Sequence, residues 1–465
     1  MKKKYHIITL GCQMNERDSE TLAGFLEERG YEKAAPASSP GGVFDGADSA
    51  DILILNTCSV RENADNRFFG LLGRAKHIKE RRPETIVAVC GCMMQQQHIV
   101  DQIRGSYGWV DMVFGTHNIH EFPRLLENVA SESEKAYRVL GAREEIVEDL
   151  PAKRAYGYKA FVNIMFGCNN FCTYCIVPYT RGREQSRRPE DILREVEGLA
   201  AAGTKEVMLL GQNVNSYRGA GADGTAVDFP ALIRMLDGVD GLARLRFMTS
   251  HPKDLSDGLV EAFARCRTLC PSIHLPVQAG SNAVLARMNR RYTREAYMAL
   301  VEKLRAARPG IAVTTDLIVG FPGETDADFA DTMDLIERVR FDAAFTFLYS
   351  PRQGTPAATY EDQVPEEVKH ARFNRMVERL NEITLEINRG YVGRTLPVLI
   401  EGPDKARRTG LTGRTETNKL VNILAGDGDA GCASGAGSAG SVQPGDIRDV
   451  RITDVNTFSF TGELA

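Results

Sequence analysis

Short apolar runs at residues 5–10, 51–55 and 85–89 punctuate the start of the chain, and after each the pattern changes to the spacing of an amphipathic helix. A fourth run covers 110–114. Strands that alternate with helices build a parallel sheet, and the loops that follow such strands all leave along one edge. A cysteine stands at or just past the end of each of the first three runs, at positions 12, 58 and 92, so three thiols far apart in sequence are expected along one edge. Residues 34–50, rich in Ala, Pro, Ser, Gly and Asp, read as a surface loop, and the charged stretch 123–152 as a linker holding a helix or short hairpin.

The alternation resumes at Lys159, with strands expected at 159–166, 206–210, 244–249, 272–277, 311–319 and 343–348. Helical patterns lie between them, one of which opens on Pro189 and stops at Gly203, the punctuation a helix prefers. Six strand–helix units in succession predict an open, partial (β/α)6 barrel. A charged helix over 365–389 leads to short runs at 395–400, 409–415, 420–424 and 446–454, the pattern of a small β-barrel. Residues 425–445 are mostly Gly, Ala, Ser and Asp, a composition without a core, and read as a flexible insertion. The expected fold is mixed α/β, with an N-terminal parallel α/β domain over 1–122, the linker over 123–152, a partial barrel over 153–385 and a C-terminal β-barrel over 386–465.

Composition narrows the class. A chain of 465 residues, 43% hydrophobic and 26% charged, buries a large core without a disulfide scaffold. Its 57 Lys and Arg against 62 Asp and Glu leave a formal charge of −5, which excludes a histone-like sheath of positive charge, so any nucleic-acid contact comes from local patches. No stretch approaches the roughly 18 to 20 uninterrupted apolar residues of a membrane span. The apolar run before Cys12 is about six residues long, shorter than the roughly 7 to 15 of an export signal. A cytoplasmic, reducing setting is therefore expected, where closely spaced cysteines bind metal or act in redox chemistry.

The ten cysteines are not equivalent. Cys168, Cys172 and Cys175 form a C-x3-C-x2-C loop directly after the strand expected at 159–166, and three thiolates in one short loop converge on a cluster at little loop-closure cost. They supply three ligands to a four-iron cube and leave the fourth iron open to a non-protein ligand. A structural zinc site is the alternative, but zinc normally takes a fourth Cys or His at finger spacing, and none is nearby. For Cys12, Cys58 and Cys92 the alternative is ordinary burial. Their repeated placement, in Gly11-Cys12, Asn56-Thr57-Cys58 and Gly91-Cys92, favours a shared site. Cys90, inside its apolar run, is expected to pack, and Cys266, Cys270 and Cys432 lack the strand-end placement. His98, His251 and His274 have no metal spacing and are expected to be structural.

The C-x3-C-x2-C loop after the first strand of a partial barrel, with Tyr174 just before the last cysteine, resembles the radical S-adenosylmethionine (SAM) superfamily. That resemblance implies that the open iron chelates the amine and carboxylate of SAM, that Tyr174 packs near the adenine, and that an electron from the cluster cleaves SAM to a 5'-deoxyadenosyl radical. Many members carry Gly-Gly-Glu after the second strand to hold the SAM amine. Gly211-Gln212-Asn213 stands there in this chain, which makes Gln212 the candidate.

Gly11-Cys12-Gln13-Met14-Asn15-Glu16, Asn56-Thr57-Cys58-Ser59-Val60-Arg61 and Gly91-Cys92-Met93-Met94-Gln95 together resemble the methylthiotransferase family. The likeness extends through Ile176-Val177-Pro178-Tyr179-Thr180-Arg181-Gly182-Arg183-Glu184, His274-Leu275-Pro276-Val277-Gln278 and Gly320-Phe321-Pro322-Gly323-Glu324 to nearly the whole chain, with 34–50 and 425–445 reading as insertions. The tRNA branch that acts on an isopentenylated adenosine fits best. Gln13 and Ser59-Val60-Arg61 stand where the threonylcarbamoyl-adenosine branch tends to have Lys and Thr-Val-Thr, and the branch that modifies a ribosomal-protein aspartate departs further. The resemblance implies two 4Fe-4S clusters, one SAM-binding and one auxiliary, the latter ligated by Cys12, Cys58 and Cys92. It also implies SAM as both methyl donor and radical source, and methylthiolation of carbon 2 of N(6)-dimethylallyladenosine at position 37 of tRNA. That carbon bears an aromatic C–H bond beyond the reach of side-chain acids and bases, which explains the need for a radical generator. A non-catalytic iron–sulfur RNA-binding regulator would explain the cysteines and the small barrel but not the six-strand scaffold.

The expected partners are tRNA, an electron donor and a sulfur source. Arg181, Arg183, Arg187 and Arg188 follow the cluster loop, either as a solvated face or as a clamp on RNA phosphates. The segment 405–419 resembles a TRAM domain, an RNA-binding β-barrel, and puts forward Lys405, Arg407, Arg408 and Arg414 as phosphate contacts. Charges over 387–465 cancel, so that expectation rests on one basic loop, with a plain structural barrel as the alternative.

Overall fold

The computed structural model describes residues 2–35, 42–59, 62–132, 134–143, 145–404, 410–424 and 442–465. The chain opens on a parallel sheet of β1 (Lys4–Thr9), β2 (Glu32–Lys33), β3 (Ile52–Thr57), β4 (Ile86–Gly91), β5 (Met112–Phe114) and β6 (Ala136–Arg138), in the spatial order β2-β1-β3-β4-β5-β6. Successive side chains on a strand point to opposite faces. Leu53, Leu55, Val87 and Val89 accordingly pack with the helices Glu62–Arg81 and Gln97–Ser106. Ile52, Ile54, Ala88 and Cys90 pack on the other face with Gln13–Glu28 and Phe122–Glu132. Cys90 is thus a core side chain, as its position inside the apolar run implies.

Two departures from the sequence reading occur here. The stretch expected as a linker belongs to this domain, because Phe122–Glu132 covers one face and β6 pairs with β5. Three residues, Ala-Tyr-Arg, are too few to carry a periodic signal. The segment expected as a surface loop holds 3-10 turns at Gly42–Phe44 and Ala47–Ser49, with Phe44 and Ala47 buried; its residues 36–41 lie outside the described ones.

The second unit starts with β7 (Lys159–Asn163). Short strands β8 (Met165–Phe166) and β9 (Gln185–Ser186) pair antiparallel and close the base of the C-x3-C-x2-C loop between them. β10 (Glu206–Leu210) follows, then a hairpin of β11 (Arg218–Ala220) and β12 (Ala226–Asp228), then β13 (Arg244–Phe247), β14 (Ser272–His274), β15 (Ala312–Val319) and β16 (Ala343–Leu348). The expected six strands form two parallel sheets, β7-β10-β13 and β14-β15-β16, joined by a parallel bridge between Leu245 and Leu269. One face of these strands, including Val207, Leu209, Val313, Leu317 and Val319, lies in the core shared with the surrounding helices. The opposite face carries Phe161 and Leu210, and Met14 from the first turn of Gln13–Glu28 packs on them, so the N-terminal domain reaches into the partial barrel.

The C-terminal unit is a closed barrel of β17 (Thr395–Pro403), β18 (Leu411–Thr415), β19 (Leu420–Ile423), β20 (Ile447–Val455) and β21 (Ser459–Leu464), in the order β17-β18-β19-β21-β20. β21 is absent from the sequence reading. Of its two large apolar side chains only Phe460 is buried, while Leu464 is exposed, so alternation is weak. Residues 425–441 of the expected insertion are outside the described ones. The barrel seats on the amino ends of the core strands. Lys159 pairs with Glu401 at 2.7 Å, Arg244 donates to the carbonyls of Pro397 and Arg414 at 2.8 Å, and Lys419 donates to that of Asp342 at 2.9 Å.

Arg246 anchors this seam. Its Nε donates to Glu206 at 2.8 Å with both side chains buried, and its other nitrogens donate to the carbonyls of Thr415 (2.8 Å) and Glu416 (2.7 Å). Removing one partner of a buried pair strands the other charge. Arg246→Met is therefore expected to cost on the order of 3 kcal/mol, read as a lower midpoint of chemical denaturation, with the C-terminal barrel released early to limited proteolysis. An unchanged midpoint would contradict the anchoring role.

Candidate metal centres

Cys12, Cys58 and Cys92 follow β1, β3 and β4, three neighbouring strands of one parallel sheet, so strand spacing of about 4.8 Å brings their loops side by side. Two asparagines weld the first two loops. Asn15 Nδ2 donates to Asn56 Oδ1 (3.0 Å) and to the Thr57 carbonyl (2.8 Å), and Asn56 Nδ2 donates back to the Asn15 carbonyl (2.9 Å). Glycine is required beside two of the cysteines. A Cβ on Gly11, at φ +139°, would lie 2.7 Å from Cys58 Cβ, and one on Gly91, at φ +101°, 2.2 Å from the Thr57 carbonyl oxygen. Cys12 is exposed at the rim, and Cys58 and Cys92 are buried. A hydrogen bond with Cys58, reinforced by the Arg181 charge, holds the Cys12 thiol down at about 6, whereas burial pushes Cys92 up to about 11.

The second triad lies in one loop. A Cβ on Gly167, at φ +75°, would stand 2.0 Å from the Arg183 carbonyl oxygen, and the Cys168 N–H donates to the Gly182 carbonyl at 3.0 Å, so the loop folds back on its own exit. Inside it the Cys175 N–H donates to the Cys172 carbonyl (2.9 Å). The loop is tied to the segment after the helix Asn282–Arg287. The Thr173 N–H donates to the Met288 carbonyl (3.1 Å), and Asn289 Nδ2 donates to the carbonyls of Asn170 (3.2 Å) and Phe171 (3.0 Å). Burial pushes Cys168 up to about 11 and Cys175 up to about 12. Arg290, itself buried, places Nη1 3.5 Å from both Cys172 Sγ and the Tyr174 hydroxyl. Buried sulfurs of this kind become ligands when a metal displaces their protons. Among the described residues no three Cys, His, Asp or Glu side chains are grouped to hold a single metal ion. Each triad is all sulfur and, among the described residues, lacks the fourth Cys or His that a structural zinc takes, a donor set that suits an iron–sulfur cluster with one iron left open.

Tyr174 packs its ring on the cluster of Val284, Leu285, Met288 and Phe321. Gln212 follows β10 and donates through Nε2 to the Met14 thioether, while its Oε1 is a buried acceptor with no donor in the described structure. An acceptor left open in this way suits an ammonium group.

The arginines expected at RNA divide sharply. Arg181 is buried, 4% exposed, and donates from Nε to Cys92 Sγ at 2.9 Å and from Nη2 to Asp18 at 3.1 Å. Burial alone would lower its pKa, but Cys92, Asp18 and Cys12 raise it further than burial lowers it, so it is firmly cationic. Arg187 is likewise buried, between Glu148 and Glu195. Neither reaches a phosphate in solvent, which corrects the reading of this run as one face. Arg183 and Arg188 are exposed, and Arg183 lies over the Phe171 ring at 4.5 Å. Arg414 is half-buried at the seam, with Nη1 donating to the Asn418 carbonyl (3.2 Å) and Nε 3.5 Å from Glu401, and Lys405, Arg407 and Arg408 lie outside the described residues. Of the histidines, His98 is exposed, His251 accepts from the Lys253 N–H, and His274 sits 3.4 Å from Asp316. Sequence reasoning missed Asp18, Met14 and Arg290 as neighbours of the two sites, because Asp18 and Met14 act from the helix Gln13–Glu28 on residues of the other domain and Arg290 is over a hundred residues from the loop it contacts.

Comparison with known proteins places all three units. Residues 162–336 match the radical SAM superfamily, 4–115 match a family described as uncharacterized protein family UPF0004, and 389–465 match the TRAM domain. The chain is 49% identical over 456 residues to the tRNA-2-methylthio-N(6)-dimethylallyladenosine synthase of Clostridioides difficile (strain 630), covering 98% of this chain and 90% of that one. It is 49% identical to the protein of the same name from Alkaliphilus oremlandii (strain OhILAs), covering 99% and 93%. Among solved structures it resembles the radical SAM methyltransferase TsrM from Kitasatospora setae, with a TM-score of 0.56, 15% identity and 77% of each chain covered, a likeness of fold. The chain belongs to the tRNA-2-methylthio-N(6)-dimethylallyladenosine synthase family of radical SAM enzymes.

Proposed function

We propose that this chain is a methylthiotransferase that converts N(6)-dimethylallyladenosine at position 37 of tRNA to its 2-methylthio derivative. The observation that carries this reading is a pair of all-cysteine triads, Cys168/Cys172/Cys175 and Cys12/Cys58/Cys92, on two domains joined where Arg181, six residues after Cys175, reaches Cys92 and Asp18. In this reading the first triad holds the SAM-binding 4Fe-4S cluster and the second the auxiliary one. When loaded, the first centre would supply one-electron cleavage of SAM, and the second would hold the extra sulfur that is methylated and transferred.

The chain's own residues position and shield. Gln212 offers its open Oε1 to the SAM amine, and the Met14 contact fixes the side chain that presents it. Met14, Phe161 and Leu210 are buried together beside this position, which keeps water from the reacting atoms. Tyr174 fixes the loop by its ring packing and by the Arg290 contact. The exposed Arg183 and Arg188, which follow the cluster loop, would clamp RNA phosphates near the target base. Adenine offers carbon 2 no acid–base route, so the radical centre and the sulfur centre are both required of one chain.

The direct test is liquid chromatography with mass spectrometry of nucleosides from hypomodified tRNA treated with anaerobically reconstituted protein, SAM and a reductant. Formation of 2-methylthio-N(6)-dimethylallyladenosine is expected, and its absence alongside rapid SAM cleavage would contradict the reading.

A second prediction separates the ligands. Reconstituted protein should hold about eight irons per chain, falling to about four when Cys168, Cys172 and Cys175 are changed together to Ala. Cys92→Ala should keep SAM cleavage and lose methylthiolation, while Cys90→Ala should keep both. Loss of auxiliary iron on Cys90→Ala alone would move the ligand role to Cys90.

A further inference from the structure

Arg181 stands six residues after Cys175 and caps the short helix Val177–Thr180, its own N–H donating to the Val177 carbonyl at 2.8 Å. The same segment docks on the N-terminal domain, because Thr116 Oγ1 donates to the Thr180 carbonyl at 3.2 Å. The guanidinium then crosses to the other triad, with Nε on Cys92 Sγ and Nη2 on Asp18, while Nη1 has no acceptor in the described structure. A buried guanidinium is costly unless paired, and here the pairing is with one carboxylate and one cysteine sulfur. A residue kept for RNA would be exposed, and one kept for packing would need no charge.

We propose that Arg181 is a positioning residue of the auxiliary centre, which holds Cys92 in ligating geometry and makes the cluster bound there easier to reduce. Reduction adds negative charge to a cluster, and hydrogen bonds to its sulfurs together with nearby positive charge favour that state. Asp18 takes one edge of the guanidinium and keeps Nε aimed at the sulfur. Arg181 belongs to the radical domain and its target to the N-terminal domain, so the contact also fixes the two triads relative to each other. The proposal rests on the two-cluster reading above.

The test uses the full chain carrying Cys168→Ala, Cys172→Ala and Cys175→Ala, which isolates the auxiliary cluster for a redox titration followed by electron paramagnetic resonance. Adding Arg181→Gln is expected to retain about four irons per chain and to move the reduction potential to more negative values, with Arg181→Lys moving it less. An unmoved potential in the iron-replete Gln variant overturns the proposal and leaves the two-cluster reading intact. Should the Gln variant lose its iron, the Lys variant decides. Iron retained with a potential near the parent's upholds a role for the charge, and the same loss in both overturns it. A triple-cysteine parent without any cluster contradicts the two-cluster reading and this proposal together.

Discussion

A parallel strand delivers its following loop to the carboxyl edge of its sheet, and in this chain two such edges are brought together. β1, β3 and β4 put Cys12, Cys58 and Cys92 on one edge, and β7 puts the C-x3-C-x2-C loop on the other. The edges are held by few groups. Met14 packs on Phe161 and Leu210, Thr116 bonds to the Thr180 carbonyl, and Arg181 spans to Cys92 and Asp18. Of these Arg181 is the most demanding, because a buried charge tolerates little displacement of its partners. The relative position of the two triads is thereby fixed by electrostatics as much as by packing.

The opposite edge has a different task. The amino ends of the core strands carry Lys159, Glu206, Arg244 and Asp342, and the C-terminal barrel docks on them through charge pairs and backbone carbonyls. Carbonyl acceptors satisfy Arg244 and Arg246 whatever side chains the barrel presents, so the seam depends on barrel backbone geometry more than on its sequence. The barrel is thereby kept at the end of the core strands opposite to the one that carries the C-x3-C-x2-C loop.

Much of this was legible in the sequence, because apolar runs, glycines and cysteine spacing are local signals. The six core strands and the two triads could be read from alternation and from the loop Cys168 to Cys175. Contacts between residues far apart could not. Arg181 lies in a run of arginines that composition assigns to solvent, and its burial depends on Asp18 and Cys92, which are 163 and 89 residues away. Arg187 was hidden in the same way behind Glu148 and Glu195. The strands β6 and β21 escaped because one is three residues long and the other has a single buried aromatic.

The shared edge is tested most directly by the magnetic interaction between the two reduced clusters. A chain with both triads intact should give an electron paramagnetic resonance spectrum broadened or split by coupling between them. That spectrum should differ from the sum of two others, one recorded with Cys168, Cys172 and Cys175 changed to Ala and the other with Cys12, Cys58 and Cys92 changed to Ala. A spectrum equal to that sum would mean that the clusters lie too far apart to interact, and would contradict the placing of both triads at one seam.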